Sequence, residues 1–461
     1  MSDRRFVRLC LLAATVLGSM VSAHAEPLLL APQGRAGDTD RVSIEIEVGG
    51  KLTAQRTLPD GLAKPDTKTT SQTPLKVAGK LVYDQRLLAA TPQVLLRSAR
   101  YYHDTNVAIT TGSIRTKPTL ATERRLVVCE HGDTGVRLWS PAGVLASDES
   151  DLLSVAGNTL VCDQLLPVEP VKVGSTWQHS TGDVMILLGL DHIEKCRAES
   201  TLKEANSRYA RAELEIDVTG MVDGAQTTQQ VSGIYIADIK TGRITQLNLA
   251  IKESRQIGPV SPAFEGVAKL QIRIEPTTAS KQLDDAAIAA IGDGPAERQL
   301  QRVTRHEPLG IELTHTDNWY VTASSKSSLT LRQIDESGLV ANCTLVCPAV
   351  GRLEAESALP ALKAEVTKSL GTGFKQFARE SQWITPAGYR AVGVVTLGEV
   401  SGVAVEWHSY VVADDKGRRV SLSFTLESDA VERLGETDRA LVDGLRLVPL
   451  QVASGAGPAA R

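Results

Sequence analysis

The chain has 461 residues, a formal net charge of −4 and 42% hydrophobic residues, enough apolar material for more than one core. No run of clustered Lys and Arg appears, which argues against a nucleic-acid partner, because phosphate binding needs such a run. Aromatic residues make up only 4%, which weighs against stacking platforms for bases or sugars.

Residues 1–25 read as a secretory signal peptide. Arg4, Arg5 and Arg8 form the positive region, Leu9 to Val21 the apolar stretch, and Ala23-His24-Ala25 the small-x-small cleavage site before Glu26. That stretch is too short for a comfortable membrane span, and no later one reaches about 18 uninterrupted apolar residues. The expectation is an exported protein, periplasmic or extracellular, soluble after cleavage and without a membrane span.

Residues Leu28 to about Asp40 read as a loose lead-in. Strands with period-two alternation follow. Val42, Ile44, Ile46 and Val48 oppose Ser43, Glu45 and Glu47. Much later, Leu247, Leu249 and Ile251, then Leu270, Ile272 and Ile274, repeat the pattern. Such alternation marks antiparallel sheet with one buried and one wet face. Val48-Gly49-Gly50, Asp223-Gly224 and Thr241-Gly242 read as turns. Ser147-Asp-Glu-Ser-Asp151 before Leu152 reads as a helix start, and Asp183 to Leu190 as a second short helix. Residues 26–276 thus read as a mainly antiparallel β domain with a few central helices. Its helical interlude is also a plausible seam between two smaller sheets.

Pro276 to about Thr304 carries turn signals and a short Ala-rich helix from Asp284 to Ile291, so residues 277–304 read as a linker. Residues 305–450 have a different rhythm. A strand from Leu309 to Leu313 leads to Asn318-Trp319, and the strands Ser328–Ile334 and Leu339–Cys347 follow. A helix from about Ser357 to Leu370 is stopped by Gly371, four strands follow between Phe377 and Leu426, and a final helix runs from Ser428 to about Leu447. The tail, residues 451–461, is small and polar and reads as disordered.

Five cysteines remain after the signal: Cys129, Cys162, Cys196, Cys343 and Cys347. Cys343 and Cys347, four apart on a strand, lie about 13 Å from each other, too far for a mutual bridge. One bridge among Cys129, Cys162 and Cys196 is compatible with export, and sequence does not choose the pair.

Chemistry-bearing motifs are few. There is no Gly-x-Ser-x-Gly elbow, no phosphate loop and no His-Glu-x-x-His helix. In Cys129-Glu-His131-Gly-Asp133 an extended backbone puts three metal-capable side chains on one face. The same residues read more simply as a strand end and its turn. His103 and Asp104 point to opposite faces of a strand and do not meet. No catalytic residue and no cofactor is assigned.

The order of three strands, helix, four strands and C-terminal helix in residues 305–450, with Asn318-Trp319 and Leu441-Val-Asp-Gly-Leu-Arg-Leu447, resembles the PsbP-like α/β/α sandwich. That resemblance implies a non-catalytic interaction module. Leu165-Leu-Pro-Val-Glu-Pro-Val-Lys-Val-Gly-Ser-Thr-Trp177 resembles a segment of exported bacterial proteins of unassigned function. A one-sided sheet with a few helices resembles the half-barrel of bacterial lipoprotein carriers, by fold analogy alone. The expected fold class is α+β, a large antiparallel region followed by the smaller sandwich. The expected function is a non-catalytic exported binding or scaffold protein, acting on a protein or a hydrophobic small molecule. The alternatives are a carrier of a lipid or other hydrophobic ligand in the N-terminal sheet, and a hydrolase or metal enzyme.

Overall fold

The computed structural model describes residues 27–32, 34–56, 69–91, 94–132, 135–292, 294–347 and 358–449. The segment read as a signal peptide, residues 1–25, and the one read as a tail, residues 451–461, lie outside the described residues.

The chain is mostly β. Its first part contains β1 (Thr39–Arg56), β2 (Thr69–Thr91), β3 (Val94–Thr111), β4 (Ile114–Thr116), β5 (Leu126–Gly132), β6 (Gly135–Trp139), β7 (Leu145–Ala146), β8 (Thr176–Gln178), β9 (His192–Ala205), β10 (Tyr209–Val222), β11 (Ala225–Asp238), β12 (Arg243–Arg255) and β13 (Ala263–Pro276). All but β7 form one twelve-stranded antiparallel sheet in the order β6-β5-β3-β2-β1-β13-β12-β11-β10-β9-β8, with β4 on β3. The alternating apolar sets meet in register. Val42, Ile44 and Ile46 pair with Ile274, Ile272 and Leu270, and the last two pair with Leu247 and Leu249 of β12. A one-residue slip would turn this whole set to water.

The chain between β6 and β9 packs on the apolar face of this sheet. It contains α1 (Ser147–Leu153), a short 3₁₀ turn (Cys162–Leu165) and α2 (Thr181–Leu188). Leu152, Leu153, Leu165, Val184, Leu187 and Leu188 are buried in the same core as Ile44, Leu81, Leu214 and Ile272. Each such side chain contributes about 1.5–3 kcal/mol by leaving water. Polar groups fix the filling segment in place. Tyr235 and Trp177 both donate to the Leu165 carbonyl at 2.9 Å. Arg100, fully buried, donates to Gln85 and Asn158.

The second part contains β14 (Arg302–His306), β15 (Ile311–His315), β16 (Trp319–Ser324), β17 (Ser328–Asp335), β18 (Gly338–Val346), β19 (Phe374–Ile384), β20 (Arg390–Val400), β21 (Val403–Ala413), β22 (Arg419–Glu427) and β23 (Leu445–Leu447). Seven strands form an antiparallel sheet in the order β16-β17-β18-β22-β21-β20-β19. Helix α4 (Ala358–Leu370) packs Leu362 and Val366 on one face, against Val392, Val394 and Val411. The other face holds Tyr410, Val412 and Phe424 under Leu434, Leu441 and Val442 of the C-terminal helices.

A third, four-stranded sheet, β23-β15-β14-β7, joins the two parts. In it β14 runs parallel to β7, Arg302 opposite Leu145 and Val303 opposite Ala146. Between the parts, α3 (Asp285–Ile291) is capped by Asp284, whose side chain accepts from the Ala287 amide at 2.9 Å. Leu283 and Ile291 pack with Ala99, Val128 and Trp139 of β3, β5 and β6.

Three local expectations change. Val48-Gly49-Gly50 is not a turn but the interior of β1. Gly50 serves close approach: a Cβ there would lie 2.5 Å from the Glu265 carbonyl and 2.6 Å from the Phe264 ring, whereas one on Gly49 would meet nothing within 4 Å. The lead-in is anchored rather than loose, since Leu28 exchanges two hydrogen bonds with Val171 and Leu30 is buried in the core. The final helix is broken into α5 (Val431–Leu434) and α6 (Thr437–Asp443). Gly435 adopts φ +57° between them, and Leu445–Leu447 leaves as a strand to pair with β15.

Leu187→Ala should lower global unfolding stability by about 2–5 kcal/mol, as for other buried Leu truncations. Urea melts of the purified chain read this. An unchanged midpoint would mean that the filling segment opens independently of the sheet.

Candidate functional site: a charged pocket at the rim of the large sheet

At one end of the large sheet, the starts of β1 and β12 and the ends of β2 and β13 surround a pocket of about 720 Å³. Its wall carries Arg35, Arg86 and Arg243 with Asp38, Asp40, Asp284 and Asp285. The volume lies in the range of small-ligand sites.

Arg243 organises the pocket. Its Nη2 reaches Asp40 at 2.6 Å, its Nε reaches Asp163 at 2.5 Å, and its Nη1 lies 3.4 Å from Asp38. Asp163, on the 3₁₀ turn of the filling segment, also accepts from the Ile244 amide at 2.8 Å. One guanidinium thus ties the lead-in, the sheet and the filling segment together. Three carboxylates share that single cation. Burial therefore pushes the Asp40 and Asp163 carboxyls above their ordinary value even against Arg243. Burial would lower Arg243, but Asp163 and Asp40 outweigh it and hold the guanidinium above its ordinary value. On the opposite wall Arg86 donates to the Leu283 carbonyl at 2.7 Å and pairs with Asp285. Arg35 is exposed at the mouth, and among the described residues its guanidinium has no hydrogen-bond partner.

The residues singled out in the sequence fall elsewhere. Cys129 is buried on the sheet, 3.7 Å from the Asn158 amide nitrogen, and His131 is half-buried on the same strand. Asp133 lies outside the described residues. Among the described residues no three His, Cys, Asp or Glu side chains converge as a metal requires. Cys129, Cys162, Cys196, Cys343 and Cys347 are all free thiols. Burial pushes the Cys343 thiol well up.

Among the described residues the fold brings several histidines against polar partners. His103 meets Asp84 at 2.9 Å rather than Asp104. Burial would raise Asp84, but bonds from Arg41 and His103 hold it below its ordinary value. His179 lies 2.7 Å from the Ser200 hydroxyl, and burial pulls its imidazole down to about 4. Ser200 is fully buried, so no substrate reaches its oxygen. In the second part Asp438 accepts from His408 Nδ1 at 2.6 Å and from the Tyr410 hydroxyl at 2.5 Å. This network is buried and joins α6 to β21. The bonds from His408 and Tyr410 outweigh burial and hold Asp438 low.

Sequence reading missed the Arg243 cluster. Asp40 and Asp163 stand 203 and 80 residues from Arg243, so no local spacing announces it. Its one signal was charge placed just outside apolar strands, at Asp38-Thr-Asp40 and Thr241-Gly-Arg243.

No protein-family model matches the chain, and no curated protein matches it. Solved structures with partial likeness include the PsbP protein of the cyanobacterium Synechocystis, at 11% identity and TM-score 0.25, covering 34% of this chain and 97% of that one. LpqN of Mycobacterium tuberculosis, described as involved in cell envelope biogenesis, has 16% identity and TM-score 0.23, covering 32% and 91%. Lipovitellin, described for its lipid–protein interactions, has 8% identity and TM-score 0.31, covering 54% and 27%.

Arg243→Met strands three carboxylates against one another. It should cost about 3–5 kcal/mol of stability at pH 7.5. The loss should shrink at pH 4.5, because protonation of Asp40 and Asp163 removes the buried charge that the variant leaves unpaired. Denaturant melts at the two pH values measure both effects, and equal losses at both would rule out the charge account.

Proposed function

We propose that this chain is an exported, non-catalytic binding or scaffold protein, periplasmic or extracellular, with an α+β organisation of two modules. The larger module spans residues 26–276, the segment 277–304 connects it onward, and residues 305–450 form a PsbP-like α/β/α module. The leader at residues 1–25 supports export. The seven-stranded sheet with helices on both faces supports the PsbP-like reading.

One observation carries the binding reading over the carrier reading. The apolar face of the large sheet, where a half-barrel would hold an acyl chain, is occupied by Leu152, Leu165, Leu187 and their neighbours from the same chain. Recognition is therefore assigned to the exterior, at the rim pocket. Its wall sets guanidinium groups beside carboxylates, with Arg35 unengaged at the mouth. That arrangement suits a small polar ligand carrying both charges rather than an apolar one.

Two measurements on the mature chain test this. Native mass spectrometry should show the bare polypeptide mass, and a stoichiometric acyl lipid would instead establish the carrier. Thermal shift with millimolar arginine, glycylglycine and glutamate should show stabilisation by at least one zwitterion. That stabilisation should be lost in Arg35→Ala/Asp284→Ala. No shift with any of the three, or an equal shift in the variant, would remove the rim pocket from the proposal.

A further inference from the structure

The wall of the rim pocket belongs to two pieces of chain. Asp40, Arg86 and Arg243 stand on strands of the large sheet, whereas Thr277, Asp284 and Asp285 belong to the segment that leads to the second part.

That segment is fastened to the sheet along its course. The Thr277 amide donates to the Thr39 carbonyl at 2.9 Å. Arg86 Nη1 donates to the Leu283 carbonyl at 2.7 Å, and the same guanidinium pairs with Asp285 at the start of α3. Leu283 before α3 and Ile291 at its end are buried on Ala99, Val128 and Trp139 of the sheet. Arg97 of β3 donates to the Gly292 carbonyl at 3.1 Å. Beyond residue 293, Leu300 packs on the same cluster, and Gln299 Nε2 donates to the Pro141 carbonyl at 3.4 Å. The chain then enters β14, where Arg302 and Val303 pair with Leu145 and Ala146 of β7. The Thr304 hydroxyl lies 3.0 Å from that of Ser147. On its other side β14 pairs with β15, whose Ile311 and Leu313 are buried in the core of the second part.

We propose that residues 277–292 and 294–304 form a strap that docks on the large sheet as one unit, and that a ligand in the rim pocket locks it down, so that occupancy of the first part is felt at the joint with the second. The lock rests on reading the rim pocket as a ligand site.

Two features carry this. The strap supplies Asp284 and Asp285 to the pocket, so lifting it dismantles one wall. A ligand that needs both walls binds only the docked form, and mass action then suppresses undocking in proportion to its occupancy. The strap's apolar anchorage is also small beside the main core. Leu283 and Ile291 are buried and Ile288 and Leu300 partly so, while Ile291 is the buried residue of α3. An element held so lightly opens before the sheet does. The ligand makes no contact at β14. Its effect there depends on Leu283, Ile291 and Leu300 sharing a single cluster, which carries docking from the pocket end to the joint.

Hydrogen exchange on the whole mature chain at pH 7.5 tests the strap in two arms. Without ligand, Arg86→Met removes the bonds to Leu283 and Asp285. Exchange at 287–288 and at 302–304 should then quicken together, by about tenfold or more, while the strand at 391–395 stays unchanged. In the second arm the natural chain meets whichever of arginine, glycylglycine and glutamate shifts its melt most, at ten times the Kd. Exchange at both stretches should slow about tenfold. A response of Arg86→Met confined to 287–288, or an equal response at 391–395, would overturn the one-unit strap. A melt shift without slowing at 302–304 would overturn the lock and leave the rim pocket as a site. No melt shift with any of the three would remove both the site and the lock, with Arg86→Met still deciding whether the strap docks as one piece.

Discussion

Everything in the larger part depends on one hydrophobic contact, the covering of the sheet's apolar face by the chain that interrupts it. The sheet is too wide to be stable with one apolar face in water. The segment between β6 and β9 supplies the missing layer, with Leu152, Leu165, Val184 and Leu187 seated on Ile44, Leu214 and Ile272. Two acceptor bonds at one carbonyl, from Tyr235 and Trp177 to Leu165, and the buried guanidinium of Arg100 hold that layer in register. The polar bonds select a position, and the aliphatic burial supplies most of the free energy.

That contact also decides where chemistry is available. With the apolar face occupied, two charged clusters stand at opposite strand ends. At one end Arg243 ties Asp38, Asp40 and Asp163 around the rim pocket. At the other, Asp223 of the turn between β10 and β11 lies 3.8 Å from Arg255. The His408–Asp438 pair is buried, so its bond holds α6 to β21, and Ser200 is buried beside a half-buried His179.

The second part repeats the logic with alternation inside a single strand. Along β20, Ala391 faces the C-terminal helices while Val392 and Val394 face α4. One strand therefore serves two cores, which is why its sequence reads as nearly continuous apolar residues. The parallel pairing of β14 with β7 then makes the two parts share a sheet, so their mutual orientation is set by backbone hydrogen bonds as well as by side chains.

Much of this was legible in the sequence wherever the signal is local. Period-two runs such as Val42-Ser-Ile-Glu-Ile46 and Leu270-Gln-Ile-Arg-Ile274 mark strands because alternate side chains leave a pleated backbone on opposite sides. Asp223-Gly224 marks the hairpin because only such residues turn there at low cost, and Asp284 marks a helix start because its carboxylate satisfies an orphan amide. Gly49-Gly50 misled because a glycine needed for close packing against Phe264 looks the same, residue by residue, as one needed for a turn. The final helix misled because its apolar spacing continues past Gly435, while the backbone does not. What only the tertiary structure decided is which distant residues meet. Arg243 with Asp40 and Asp163, His103 with Asp84 rather than Asp104, and β14 with β7 are separated by tens to hundreds of residues. Periodicity says which face a side chain takes, but long-range contacts are set by the burial and pairing of whole elements, and no short stretch of sequence contains that information.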